Sequence, residues 1–210
     1  MEIVAADAEL RVRFAQEIPE LVWSTGPVSY DYHFGDRGLF DSVVLGSWLA
    51  DGTLFAADAT YLAVEDDQLM GIEIGMPGPQ YRTRQNALGP VWQAGVASGE
   101  IDANAIPGVL ARSEHASWLN PVVYEDTYYI HALAVKPECR GRRIGYHLIA
   151  AAMERARGQG FTKLQLDVLS DNPAVGFYRS VGLSLLAETR APDPAEFGVP
   201  PEYRMGMSLS

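Results

Sequence analysis

Apolar residues recur at spacings of three and four from the start of the chain. Leu10, Phe14, Ile18 and Leu21 fall on one face, so the spacing predicts a first helix over 7–22 with Asp7 as its N-cap. Residues 23–35 are aromatic, interrupted by Gly and Pro, and read as irregular. A second helix is expected over 36–48, with Phe40, Val43, Val44 and Trp48 facing inward. The runs 60–65 and 69–75 are strand-like and separated by Asp66-Asp67-Gln68, a hairpin by pattern, which Pro77-Gly78-Pro79 ends.

Residues 77–127 form a stretch too long for a bare loop in a compact domain. The segments 91–96 and 109–119 look helical, so this stretch reads as a helical insertion within one domain spanning 1–210. Beyond it, Tyr128 through Val135 is a β-rich apolar run closed by Lys136-Pro137, expected as a central strand. Residues 143–158 carry the helical stripe Ile144, Leu148, Ala151 and Ala152, and Gly158 and Gly160 stop it. A strand over 163–168, a short helix from Pro173 to Ser180 capped by Gly182, and closing strands at 183–188 and 203–209 complete the pattern. Strands and helices alternating in this order predict a mixed α/β sheet.

Composition changes this picture only at one point. The 210 residues are 48% hydrophobic and 20% charged, with a net charge of −11, which argues against disorder and against a polyanion-binding surface. The single cysteine, Cys139, rules out an internal disulfide and a cysteine-based zinc site. No metal is expected. No apolar stretch approaches the roughly 18 residues of a membrane span, and the expected setting is the cytoplasm. The charge is uneven, however. Residues 1–135 hold six Lys/Arg against 19 Asp/Glu, a net of −13, while 136–210 hold 10 against eight, a net of +2. Lys136, Arg140, Arg142 and Arg143 crowd one short segment, a basic island that points to a local anion site.

That island lies where the central strand runs through Glu138-Cys139-Arg140-Gly141-Arg142-Arg143 into the helix beginning Ile144-Gly145-Tyr146. A helix N-terminus offers unpaired N–H groups and partial positive charge, which suits a phosphate, and clustered cations there oppose the helix dipole unless an anion offsets them. The segment resembles the pyrophosphate loop of the GNAT acetyltransferase superfamily, Gln/Arg-x-x-Gly-x-Gly/Ala. Arg140 stands at its first position, Gly145 at its last, and Arg143 replaces its middle glycine. Downstream, Asn172-Pro173-Ala174 through Tyr178 and the turn Gly182-Leu183 resemble the family's Asn-x-x-Ala-x-x-x-Tyr helix and Gly-Phe turn, with Leu183 in place of Phe. The resemblance covers about 128–188.

The resemblance implies a fold: a mostly antiparallel mixed sheet of about seven strands, flanked by helices. It implies acetyl-CoA as co-substrate and transfer of its acetyl group directly to an amine. By the same resemblance Leu133, Ala134 and Val135 would pair with the pantetheine arm, and Arg140, Gly141, Arg142, Arg143, Ile144, Gly145 and Tyr146 would cradle the pyrophosphate. Asn172 would hold the pantetheine or shape the cleft, and Tyr178 would protonate the leaving thiolate. For the proton on the amine, His131 is a candidate base because its unperturbed pKa lies near neutrality; the simpler reading is a core histidine, and a water chain is a further alternative. Glu73, Glu125 and Asp126 compete with it. Asp31, Asp36 and Asp41, with Trp23, Tyr30, Tyr32, Phe34 and Trp48, are expected either as core or as an acidic, aromatic acceptor pocket. The acceptor is unnamed by any motif. A homodimer is compatible with the sequence, no nucleic-acid or membrane partner is expected, and a catalytically idle acyl-CoA-binding module is the alternative reading.

Overall fold

The computed structural model describes residues 1–120 and 122–209. Its centre is a seven-stranded sheet: β1 (Glu2–Ala5), β2 (Thr60–Glu65), β3 (Gln68–Pro77), β4 (Thr127–Val135), β5 (Lys163–Leu169), β6 (Ser184–Thr189) and β7 (Glu202–Ser208). The order is β1-β2-β3-β4-β5-β7-β6, and every neighbouring pair is antiparallel except β4 with β5. The mixed sheet expected from the alternating elements, and mostly antiparallel with seven strands as the family resemblance implied, is therefore present.

The first predicted helix is broken into α1 (Ala8–Phe14), a 3-10 turn at Ala15–Glu17 and α2 (Ile18–Trp23). Pro19 supplies the reason: it lacks an N–H, so it is accommodated in the first turn of a new helix rather than inside a continuous one. Asp7 caps α1 as its position suggested, accepting from the N–H groups of Glu9 and Leu10. The segment read as irregular instead holds α3 (Pro27–Phe34), started by Pro27 and stopped by Gly35 in the left-handed region. In α4 (Arg37–Leu49), capped by Asp36, the side chains of Phe40, Val43, Val44 and Trp48 are fully buried. The hairpin turn is made by Asp66 and Asp67, both at positive φ, the backbone that a tight two-residue connection between twisted strands requires.

Between β3 and β4 lie α5 (Gln80–Asn86), α6 (Gly89–Ser98) and α7 (Ile106–His115). The later half adds α8 (Ile144–Gly158), α9 (Ala174–Ser180) and α10 (Pro192–Phe197). β1 and α10 had no distinct sequence signal: one is four residues long and the other a single Pro-started turn and a half. Among the described residues no helix is long and apolar enough to cross a membrane.

Two cores sit on opposite faces of the sheet. α8 and α9 bury Ile149, Ala152, Ala156, Val175 and Tyr178 against Tyr128, Ile130, Leu164 and Leu166. α1, α2 and α4 bury Phe14, Ile18, Val22, Phe40 and Trp48 against Ile72, Ile74, Ala132 and Ala134. The α8 face also encloses one ion pair: Arg155 joins Glu73 of β3, which accepts from the Tyr128 hydroxyl. Arg155 lies 3.4 Å above the Tyr61 ring. Gly75 makes room for this, since a Cβ there would stand 2.4 Å from the Tyr128 hydroxyl.

Candidate active site

The single parallel pair in the sheet is where it opens. β4 and β5 register over Thr127–Ile130 with Lys163–Leu166, and then the pairing ends. β4 stays bonded to β3 as far as Val135, so Leu133, Ala134 and Val135 keep one edge in the sheet and present the other to a cleft. A bulge marks the opening. Ile74 faces Ala132 and Gly75 faces Ile130, which leaves His131 as an extra residue in β4. The extra residue shifts the alternation of faces: Tyr129 belongs with Ala132 and Ala134 on one face, and Ile130 with Leu133 on the other.

The basic loop lies at the far end of β4. A 3-10 turn at Pro137–Cys139 leads through Arg140 to Gly141 and Arg143, both at positive φ, and Arg143 is the N-cap residue of α8. The position where the family pattern has glycine is thus one that needs a left-handed backbone, and arginine adopts it here with φ 61°. Among the described residues no side chain caps α8, which leaves its first N–H groups without a side-chain partner. Cys139, Arg140, Gly141, Arg143, Ile144, Gly145 and Tyr146 line the cleft. Arg142 does not: it turns away to an ion pair with Glu65 of β2. Its side chain therefore stands apart from the cradle in which the sequence grouped it.

Asn172 and Tyr178 reach the cleft from the β5 side. The Asn172 side chain is occupied at both ends. Its Oδ1 accepts from the Ala174 N–H at 2.9 Å, starting α9, and its Nδ2 donates to the Thr25 carbonyl at 3.2 Å. It ties α9 to the loop between α2 and α3, which shapes the cleft. Tyr178 is buried, and among the described residues its hydroxyl has no hydrogen-bond partner. Burial pushes its pKa up to about 12, so it is a protonated donor at neutral pH.

His131 lies in the same cleft, its ring 5.3 Å from Phe55 and 5.6 Å from Tyr81. Its Nε2 is buried without a partner, and desolvation lowers its pKa to about 4. An amine like lysine's ionises near 10.4, so moving its proton to such an imidazole runs uphill by roughly six pKa units. His131 as a residue is only half-buried at the cavity wall, but the enclosure of its ring nitrogen works against the base role expected of it.

All these residues except Arg142 border one cavity of about 1760 Å³. That exceeds the roughly 300–1,000 Å³ of a site for one small ligand and leaves room for two. Of its second half the sequence suggested only Tyr30 and Phe34. On the face opposite α8, Tyr30, Phe34, Tyr81, Trp92 and Tyr129 line a chamber with Asn120, Asp167 and Glu202 at its floor. Asp167 of β5 is held by Arg204 of β7 through Nε at 2.5 Å and Nη2 at 2.7 Å, and by the Tyr129 hydroxyl at 2.9 Å. Glu202 accepts from Asn120 Nδ2 at 3.1 Å. Burial, followed by the Asp167 charge, raises the Glu202 pKa to about 8.

The expected acidic residues are elsewhere. Asp36 caps α4, Asp41 pairs with Arg37 at 2.7 Å, and Asp31 is exposed; none borders the cavity. Of the aromatic set, Tyr30 and Phe34 line it, while Trp48 is core and donates to the Arg11 carbonyl at 2.8 Å. Glu73, Glu125 and Asp126 lie outside it as well. A strand that places Glu202 and Arg204 on one buried face, two residues apart, was the available signal for the chamber floor, but the predicted strand began after Glu202.

Known proteins share this architecture. An N-acetyltransferase from Staphylococcus aureus Mu50 superposes with a TM-score of 0.72 at 15% identity, covering 99% of this chain and 100% of that one. A protein described as an acetyltransferase gives 0.70 at 17% identity with full coverage of both chains. Arylalkylamine N-acetyltransferase 2 from Aedes aegypti gives 0.61 at 11% identity, covering 100% of this chain and 99% of that one. At these identities the likeness is one of fold. No curated protein sequence matches the chain. The acetyltransferase (GNAT) family model matches residues 50–183, a span that takes in β2 through α9 and with them the opened strand pair, the loop before α8 and the Tyr178 helix. This chain belongs to the GNAT acetyltransferase family.

Proposed function

We propose that the protein transfers the acetyl group of acetyl-CoA to a primary amine. The observation that carries the reading is one cavity in which an uncapped helix end, an open strand edge, an unpartnered tyrosine hydroxyl and an acidic chamber meet. The residues fit the co-substrate that the family generally uses. The N–H groups opening α8, with Arg140 and Arg143 beside them, suit a pyrophosphate. The edge at Leu133 and Ala134, beyond which Arg140 Nε donates to the Val135 carbonyl at 3.4 Å, suits the amides of a pantetheine arm, which would add to β4 as a short strand does. Arg142 contributes its main chain only. Gly141 and Gly145 keep the approach open, and Asn172 sets the width of the cleft by its bond to Thr25.

Acetyl-CoA supplies a thioester. As the amine lone pair forms the new C–N bond, the C–S bond breaks, and the Tyr178 hydroxyl gives its proton to the departing sulfur. A protonated amine loses two protons on the way to the amide. One restores Tyr178, and the other leaves to solvent. The enzyme's contribution is placement of the two reactants, a hydrogen-bonding environment for the carbonyl at the β4 bulge, and proton handling. His131 remains neutral at the bulge and helps to define the carbonyl's position.

The test is a panel of primary amines incubated with acetyl-CoA, with free thiol release as the readout. Thiol release that depends on amine and enzyme together supports the reading. Tight acetyl-CoA binding with no release for any amine overturns it in favour of an acyl-CoA-binding module.

A further inference from the structure

We propose that Glu202 is the general base for the acceptor, taking a proton from a substrate ammonium that sits among Tyr30, Tyr81 and Tyr129. The inference rests on the transfer reading above and adds to it the residue that makes the amine nucleophilic and the kind of amine that fits.

Position comes first. Glu202 opens β7 directly after Pro200 and Pro201, and the Ser170 N–H fixes the Pro201 carbonyl at 2.8 Å. Its register partner is Leu169, the last residue of β5, so it stands at the end of the sheet where the cleft has opened. It borders the cavity that Tyr178 also borders. Two prolines and a ladder bond leave its backbone little freedom, as a base that must meet a reacting nitrogen requires.

The second observation is the state of its partners. Glu202 is only 9% exposed, yet it forms no ion pair among the described residues. Asn120 satisfies Oε2, and Oε1 has no hydrogen-bond partner among them. A carboxylate buried this far ordinarily has its charge matched. Asp167 next to it does, with two bonds from Arg204 and one from Tyr129. The two carboxylates thus divide the work: one is neutralised by a fixed arginine, and the other is left for a cation that comes and goes. The groups facing Glu202 are Asp167 from β5, Arg204 from β7, Tyr129 from β4, Tyr30 from α3, Tyr81 from α5 and Asn120 from the segment before β4. Tyr30 and Tyr81 have raised pKa values, so both remain neutral at physiological pH and offer ring faces and hydroxyls, not charge.

The alternatives are weaker on geometry. Glu73 is sealed under α8 with Arg155 and lies outside the cavity. Glu114 and Asp171 border the cavity but are exposed to solvent. The raised pKa of Glu202, about 8, agrees with the role, because a base works best when it titrates near the working pH. The step is simple: an N–H bond of the ammonium breaks, an O–H bond forms on Glu202, and nitrogen keeps the electron pair that attacks the thioester. The Glu202 proton then passes to water. With Phe34 and Trp92 on the outer wall, their rings stacked at 6.3 Å, the amine that fits carries an apolar or aromatic body on a short arm.

The experiment compares wild type, Glu202→Gln and Glu202→Asp with acetyl-CoA and 2-phenylethylamine as a function of pH. In wild type, kcat/KM should rise with pH to a limb near 8. Glu202→Gln should lose that limb and fall roughly 100-fold or more in kcat/KM, with the KM for acetyl-CoA within about twofold, and Glu202→Asp should recover part of the rate. Folding is checked independently. A carboxyl whose folded pKa lies above its unfolded value binds more protons folded than unfolded between the two, so its contribution to stability declines as pH rises through that window. Glu202→Gln should therefore melt no lower than wild type at pH 8. An active wild type whose pH profile and kcat/KM survive the Gln substitution overturns the base assignment and leaves the transfer reading intact. A wild type that acetylates other amines but not 2-phenylethylamine overturns the acceptor class. A wild type that releases no thiol with any amine overturns the transfer reading and this role with it.

Discussion

The two halves of the cavity are built in different ways. The half facing α8 is lined by Leu133 to Val135 and by the loop and helix start from Cys139 to Tyr146, a strand edge, a left-handed loop and a first helical turn, with Asn172 and Phe177 from the β5 side. The chamber on the opposite face is made by side chains from α3, α5, α6, β4, β5 and β7, brought together from Tyr30 to Glu202. A ligand recognised through backbone N–H groups needs only that one short segment adopt one shape. A ligand recognised through charge and ring faces needs several elements in the right places at once. The first arrangement depends little on side-chain identity, so Arg143 can adopt the backbone that the family pattern gives to glycine; the second depends on side chains that can change without disturbing the fold.

The sharpest way to break this contrast is through Arg204. Replacing it with Leu leaves Asp167 buried without its cation, and breaking a buried pair costs about 3–5 kcal/mol. Urea unfolding should show that loss, and the protein that remains folded should still bind acetyl-CoA by calorimetry. If acetyl-CoA affinity collapses in parallel, the two halves are not separable.

Tyr178 stands between the halves. Tyr178→Phe keeps the ring that packs beside Phe177 and removes only the hydroxyl. Turnover should fall by about 10- to 1,000-fold with stability and the KM for acetyl-CoA little changed. An unchanged turnover number in stopped-flow measurements of the chemical step would assign the proton donor to water. A loss of stability without loss of specific activity would make Tyr178 a packing residue.

On the backbone-built side, Arg140→Ala should weaken acetyl-CoA binding by about 1–3 kcal/mol, the range for a charge-assisted hydrogen bond, and should flatten the salt dependence of binding. Arg142→Ala should leave the affinity nearly unchanged, because that side chain points to Glu65. Equal losses for both would mean that the loop acts through diffuse charge rather than through placed groups.

The smallest effect is expected at Arg143. With φ at 61°, a non-glycine residue stores strain of about 1 kcal/mol. Arg143→Gly should raise the melting temperature slightly while lowering acetyl-CoA affinity through the lost charge. A decrease in stability would show that the arginine side chain, not its backbone, holds the loop.

How far these features could be read from the chain depends on their range. The amphipathic stripe of α4, the Asp7 cap, the Asp66-Asp67 turn and the run from β4 through α9 are local patterns, and sequence spacing carries them. The short elements β1 and α10 escaped because single turns and four-residue strands are stabilised by what they pack on, not by their own periodicity. His131 shows a subtler limit. Its residue type suggested a base near neutrality, and only the rings of Phe55 and Tyr81 around it, with no partner on Nε2, push its pKa to about 4. Asp31, Asp36 and Asp41 were the carboxylates nearest in sequence to the aromatic cluster, yet capping and ion pairing claimed two of them and solvent the third.

By itself, then, the sequence determined the run of elements from β4 through α9, with the loop that suits a phosphate and the helix that carries Tyr178, because each of these elements is written in a short stretch of consecutive residues. Tertiary structure alone decided which carboxylates meet the cavity and which of them forms no ion pair among the described residues. Asp167 and Glu202 are 35 positions apart and are joined only when β7 inserts between β5 and β6. Asn120 reaches both carboxylates and Arg204 pairs with Asp167, an inequality that follows from the register of that insertion, which no local pattern encodes.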